Sequence, residues 1–227
     1  MSAREQILGQ IRRSLGRDGP IQGPARERCE QRLAEPPRGL IPERSRQEAA
    51  QLAQLFVEKA RKANCTVAEI GSLDEAPAAI ADYLSRENLP ASLRRGTHPD
   101  LEAMPWASRP TLTVETGATD GTHPVSVAAA FAGAAETGTL ALLSGEEGPT
   151  TLNFLPESEI VVLRKSRIVG PYEDVWSMLR ARNADAGGMP RTVNLITGPS
   201  RTGDIEQTIE LGAHGPLRLH ILLVDDL

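Results

Sequence analysis

Residues 217–224, Leu-Arg-Leu-His-Ile-Leu-Leu-Val, form a near-continuous apolar run. A strand apolar at successive positions has both faces buried, the condition of a central strand in a sheet covered by helices on both sides. Residues 192–196 read the same way and are expected at the buried centre of a sheet too. His220 is the polar break in the last strand and is expected on its polar side.

The rest of the chain alternates accordingly. Residues 46–63 place Leu52, Leu55, Phe56 and Ala60 on one side of a helix. Strands are expected at 65–70, weakly at 91–93, and at 111–115, 139–144 and 159–164. Ser72 and Glu75 have the capping-box spacing ahead of a helix to about Arg86. Gly170-Pro171 opens a helix over 172–182. The alanine-rich segment ending at Ala135 is expected to be one short helix and then a strand. Alternating helices and strands predict the α/β class.

The first 46 residues are different. Ile7, Leu8, Ile11 and Leu15 make one stripe of a helix over 2–17. Residues 18–46 hold five prolines and three glycines among arginines and glutamates, and read as a linker. Residues 1–48 carry ten basic and seven acidic side chains, whereas the whole chain has a formal charge of −5. The expected division is an arm over 1–46, which docks on its own body or on a partner or sister subunit, and an α/β domain over 47–227.

At 227 residues the chain suits one large domain with an appendage. An acidic balance disfavours nucleic acid, whose phosphates want a basic face. Two cysteines exclude a disulfide framework and any four-cysteine zinc or iron–sulfur site. The N-terminal stretch is of mixed charge without an apolar h-region, and no run approaches the roughly 20 residues that span a bilayer. The expected location is the cytoplasm. A metal site is not expected from four scattered histidines, and no cofactor is expected on this chain. Neither a phosphate-cradling glycine loop nor a nucleophile elbow is present.

Three loops rich in small polar residues adjoin strong strands. In the first, Glu136 precedes Thr137, Gly138 and Thr139. Glu136 could act as a base or as a nucleophile toward an activated acyl group, or face water in a plain hairpin. The second contains Ser200, Arg201, Thr202 and Asp204 between a strand and a short helix. Hydroxyls, a guanidinium and helix-start amides would suit a bound phosphate or carboxylate; alternatively Thr202 or Asp204 caps the helix. The third places His214 between glycines on a turn. It could titrate near neutrality or bond a neighbouring carbonyl. If the strands before Glu136 and Ser200 are parallel, their loops share one sheet edge.

The segments AAETGTLALLSGEEGPTTLNFLPESEIVVL (134–163), LITGPSRTGDIE (195–206) and LGAHGPLRLHILLVDD (211–226) resemble the LUD-domain family in its lactate-utilization branch. Gly203 stands where that family usually has alanine, and Glu159 where a histidine often stands. The resemblance implies a Rossmann-like sheet of the NagB/RpiA/CoA-transferase-like type. It also implies a part in oxidising L-lactate to pyruvate beside two partner proteins that carry iron–sulfur motifs, in which this subunit assembles the complex, binds substrate or shapes a shared site; the loop chemistry at Arg201 suits a small carboxylate or other anion as ligand. This chain would be the non-redox member. The alternative is a stand-alone acyl-transfer or phospho-ligand enzyme using Glu136.

Overall fold

The computed structural model describes residues 2–17, 19–186, 188–203 and 209–227. The chain divides into two compact units, residues 1–40 and 41–227. The first holds α1 (Ala3–Ser14) and α2 (Gly23–Ala34), neither of which has a buried residue. Ser2 and Glu5 close a capping box on α1, and the Ile7–Leu15 stripe is exposed. The helix α2 occupies what the composition suggested was linker. Pro24 falls in its first turn, where the missing N–H costs nothing.

In the second unit the elements run α3 (Ala49–Lys62), β1 (Thr66–Ile70), α4 (Ala76–Arg86), β2 (Ser92–Arg95), α5 (Pro99–Glu102), β3 (Thr113–Thr116), β4 (Val125–Ala129), β5 (Ala132–Ala134), β6 (Thr139–Leu143), α6 (Thr151–Phe154), β7 (Ser158–Arg164), β8 (Ile168–Val169), α7 (Tyr172–Ala186), β9 (Val193–Ile196), β10 (Arg201–Gly203), β11 (Ile209–Leu211) and β12 (Arg218–Val224). Six strands form a parallel sheet in the order β1-β12-β7-β4-β2-β3. The order β8-β5-β6-β9 makes a second sheet, and β10 pairs with β11 in an antiparallel hairpin.

The period of two along a strand assigns the faces. Val161 and Leu163 of β7, with Leu219, Ile221 and Leu223 of β12, pack with Leu52, Phe56 and Ala60 of α3 and with Leu140 and Leu142 of β6. Ile160, Val162, Leu222 and Val224 point the other way, onto Ile80, Tyr83 and Leu84 of α4. Both faces of β7 and β12 are thereby covered, as their apolar runs require.

Four local expectations are corrected. The alanine-rich segment is two strands, β4 and β5, with no helix. Ala132, Ala134 and Ala141 meet Val175 of α7 on one side. A Cβ on Gly133 would lie 2.9 Å from Phe56 and Leu163 on the other. Only small residues fit between those layers. β9 is an edge strand rather than a centre, and its Leu195 is exposed. His220 is buried, stacked on Tyr83 at 4.0 Å with Nδ1 2.8 Å from Thr66 Oγ1. Ser72 makes no capping bond; the Glu75 carboxylate accepts from the Gly71 N–H instead.

Candidate functional site

β5 and β9 both run antiparallel to the β6 strand between them. Their following loops therefore leave the same edge of the sheet. Both loops also come down on the last turns of α3. Gly138, at φ +70°, abuts Lys59 and Ala60; Gly198, at φ +80°, abuts the Ala63 carbonyl. A side chain at either position would strike backbone, so glycine is required for the approach.

Beyond this shared footing the loops part. The Glu136 side chain is buried and its Oε1 accepts from the Tyr172 N–H at 2.9 Å, at the start of α7. Thr139 Oγ1 lies 2.7 Å from Thr137 Oγ1, and 2.6 Å from both Tyr172 OH and Thr197 Oγ1. This chain of hydroxyls ties the end of β9 to the first loop.

The second loop is fastened to the third through Ser200. Its N–H donates to the Pro216 carbonyl, its carbonyl accepts from Gly212, and its hydroxyl accepts from the His214 N–H at 3.3 Å. The hairpin β10–β11 follows directly, with Thr202 opposite Glu210. Residues 201–203 are thus extended rather than the opening of a helix; Asp204 lies outside the described residues. The bond between Ser200 and the 212–216 turn ties His214 to the residue that precedes Arg201.

A cavity of about 270 Å³ opens between these loops. Ser200, Arg201 and His214 line it with Asn153 and Glu159, together with apolar side chains such as Leu195 and Leu219. Glu136, Thr137, Gly138, Thr139 and Thr202 are not part of that wall. Glu159 is the group that sequence reasoning did not place there. Register sets it between Leu219 and Ser126 on the strands flanking β7, on the same face as Val161. It is 0% exposed, and neither carboxylate oxygen has a hydrogen-bond partner among the described residues. Burial alone holds its carboxyl well above the usual range, in favour of the neutral acid. Cys65, at the entry to β1, is the neighbour on the α3 side. Burial pushes its thiol up to about 11, against a hydrogen bond from the Gly198 backbone and the positive Arg201.

A second cavity, of about 380 Å³, lies beyond the carboxyl ends of β2 and β4. His98, Glu146, Glu147, Asn153 and Arg182 are in its wall, and none was singled out from the sequence. Gly96 was the available signal: a Cβ there would strike the Glu147 carbonyl, so the β2 exit and the 145–148 turn close on each other. Asn153 is common to both cavities. Among the described residues no cluster of three or more His, Cys, Asp or Glu could hold a metal ion, and no helix is long and apolar enough to cross a membrane.

The lactate utilization protein C of Halalkalibacterium halodurans is 36% identical over 92 residues, which is 40% of this chain and 40% of that protein. The uncharacterized protein YkgG of Escherichia coli is 35% identical over 102 residues, 45% of this chain and 44% of that one. The aligned stretches thus span less than half the length of these curated relatives. A crystal structure of a DUF162 family protein from Deinococcus radiodurans superposes with a TM-score of 0.56 at 21% identity, covering 78% of this chain and 99% of the other. That likeness shows the α/β fold. The LUD domain model matches residues 53–224, nearly all of the second unit, and the chain belongs to the LUD domain family.

Proposed function

We propose that this chain is a non-redox component of a cytoplasmic L-lactate utilization system, and that the cavity at Ser200, Arg201 and His214 receives a small carboxylate. The observation that carries the reading is the joining of the second and third loops through Ser200, which brings a guanidinium, a hydroxyl and a histidine to one small cavity. A guanidinium is the side chain best shaped for a carboxylate. At about 270 Å³ the space lies just below the range of drug-sized pockets and has room for a short carboxylate. Relatives named for lactate utilization support the choice of pathway. The electron transfer would reside in iron–sulfur partner subunits, since two cysteines cannot ligate such a cluster here.

The acyl-transfer alternative of the NagB/RpiA/CoA-transferase-like group depends on Glu136 as a free carboxylate. That side chain is engaged at the start of α7 and faces neither cavity, so the small-carboxylate reading is preferred. The test is genetic complementation of growth on L-lactate in a strain lacking this chain. Arg201→Ala should fold normally and fail to support growth, and tagged protein from lactate-grown cells should co-purify with iron–sulfur proteins. Full growth with Arg201→Ala would remove the cavity from the function.

A further inference from the structure

Two side chains in the cavity wall differ in chemistry. Arg201 is exposed and carries a fixed positive charge. Glu159 is wholly buried in the wall with both oxygens unsatisfied. Buried polar groups in folded proteins are paired, and an exception calls for an explanation. The neighbours offer none. Ser126, beside it on β4, gives its hydroxyl to the Leu152 carbonyl, and Leu219 on β12 is apolar. The described titratable groups around it are Arg201 on β10, His214 on the 212–216 turn and Cys65 at the start of β1, and no ion pair joins any of them to Glu159.

We propose that Glu159 is the recognition group for the second functional group of the ligand, hydrogen-bonding the oxygen next to the carboxylate of a 2-hydroxy or 2-oxo acid while Arg201 holds that carboxylate. This rests on the small-carboxylate reading of the cavity and adds what distinguishes the ligand from other short acids. An unpaired carboxylate in such a place would be costly, so Glu159 stands as the neutral acid. In that form it has one O–H to donate and one carbonyl to accept with. It therefore serves a keto oxygen or a hydroxyl equally. A plain alkanoate leaves it unsatisfied, and an ammonium at the same position has no acceptor for its O–H and would favour its ionised form.

Isothermal titration calorimetry of the full chain at mildly acidic pH, with L-lactate, pyruvate, propionate and L-alanine, tests this. L-lactate and pyruvate should bind about tenfold more tightly than propionate, the usual worth of one hydrogen bond to a buried group. Glu159→Leu should abolish that preference. Glu159→Gln keeps a donor and an acceptor and should preserve it, and should lack the weakening expected of wild type as rising pH ionises the acid. The wild-type comparison of L-lactate with propionate decides the matter even if Glu159→Leu does not fold. Equal binding of propionate and L-lactate, both lost with Arg201→Ala, would overturn the role of Glu159 and leave the carboxylate cavity standing. Preference for L-alanine would overturn it by showing the ionised form. Binding of no carboxylate at all would overturn the cavity reading itself, and the role of Glu159 with it.

Discussion

Glu136 and Tyr172 are joined end to end: the carboxylate Oε1 accepts the Tyr172 N–H at 2.9 Å, and the Glu136 N–H donates to the carbonyl of Gly170 at 3.1 Å. The first turn of a helix has N–H groups without intrahelical partners, and a negative charge there is favoured by the aligned peptide dipoles. Glu136 thus caps α7 from across the hairpin, a duty that a residue just before the helix normally performs. Glu136→Ala should lower stability by about 1–2 kcal/mol, the usual worth of a cap. For a chain of this size that is a drop of roughly 2–8 °C in Tm. Glu136→Gln retains the acceptor and should lose less than half of that. Thermal unfolding of the two variants checks it, and an unchanged Tm for Glu136→Ala would show that the cap contributes nothing.

Gly138 and Gly198 seat their loops on the end of α3. Each has positive φ, and each would place a Cβ against backbone rather than against a movable side chain. Alanine at either position should cost at least about 2 kcal/mol. The functional consequences should differ. Gly198 lies two residues before Ser200, so Gly198→Ala should shift the cavity wall and weaken carboxylate binding. Gly138→Ala disturbs a hairpin outside that wall and should leave binding largely intact in the folded fraction. Parallel unfolding and titration measurements separate the two.

Two buried groups make stability depend on pH in opposite directions. Glu159 is held protonated by burial, whereas in the unfolded chain it ionises near 4.5. Folding then retains a proton, so its contribution is present below about 4.5 and is lost as pH rises toward the folded value. His220 is pushed down from 6.5 to about 4, by burial first and then by the positive Arg86. It stays neutral when folded, and stability falls as pH drops from 6.5 toward 4. From 4.5 upward toward 6.5 the two oppose, and wild type should vary less with pH than a variant lacking either group. Glu159→Gln should leave stability rising through this window, and His220→Gln should leave it falling, by up to about tenfold in the folding constant per pH unit. Urea unfolding at a series of pH values reads both slopes. Identical profiles for wild type and Glu159→Gln would mean that the acid is not held neutral.

The parts of the fold legible in the sequence are those fixed by burial periodicity. The apolar run of β12 announced a doubly covered sheet, and the stripe of Leu52, Phe56 and Ala60 announced α3, whereas the same reading of 192–196 did not hold for β9. The alanine-rich strands were not legible. Alanine has high helix propensity, and what decides 132–134 is the narrow gap between Phe56 and Val175, which is a tertiary fact. The exposure of Leu195 likewise depends on β9 having one neighbour only. At the site, the small polar loops were visible as such, yet their pairing runs through backbone bonds of Ser200 that leave no trace in residue type. Glu159 was hidden by its setting. Its signal was a carboxylate on the face that alternation gives to Val161 and Leu163, and that argument needs the identity of the face.

The two thiols should report on the cavity. Cys29 is exposed on α2 and should be open to a maleimide or disulfide reagent without any opening of the fold. Cys65 is buried, its thiol is pushed up to about 11, and the Gly198 backbone bonds it. Only the thiolate attacks, so Cys65 should react through openings that lift the 197–201 loop from α3. Because that loop also forms the cavity wall, a carboxylate bound at Arg201 should hold it down and slow Cys65 labelling without changing Cys29. Gly198→Ala should have the opposite effect and speed it. Mass-spectrometric labelling time courses with and without L-lactate resolve the two sites by peptide. Cys65 labelling as fast as Cys29 would show that the loop does not cover it, and an unchanged Cys65 rate at saturating L-lactate would separate the loop from ligand binding.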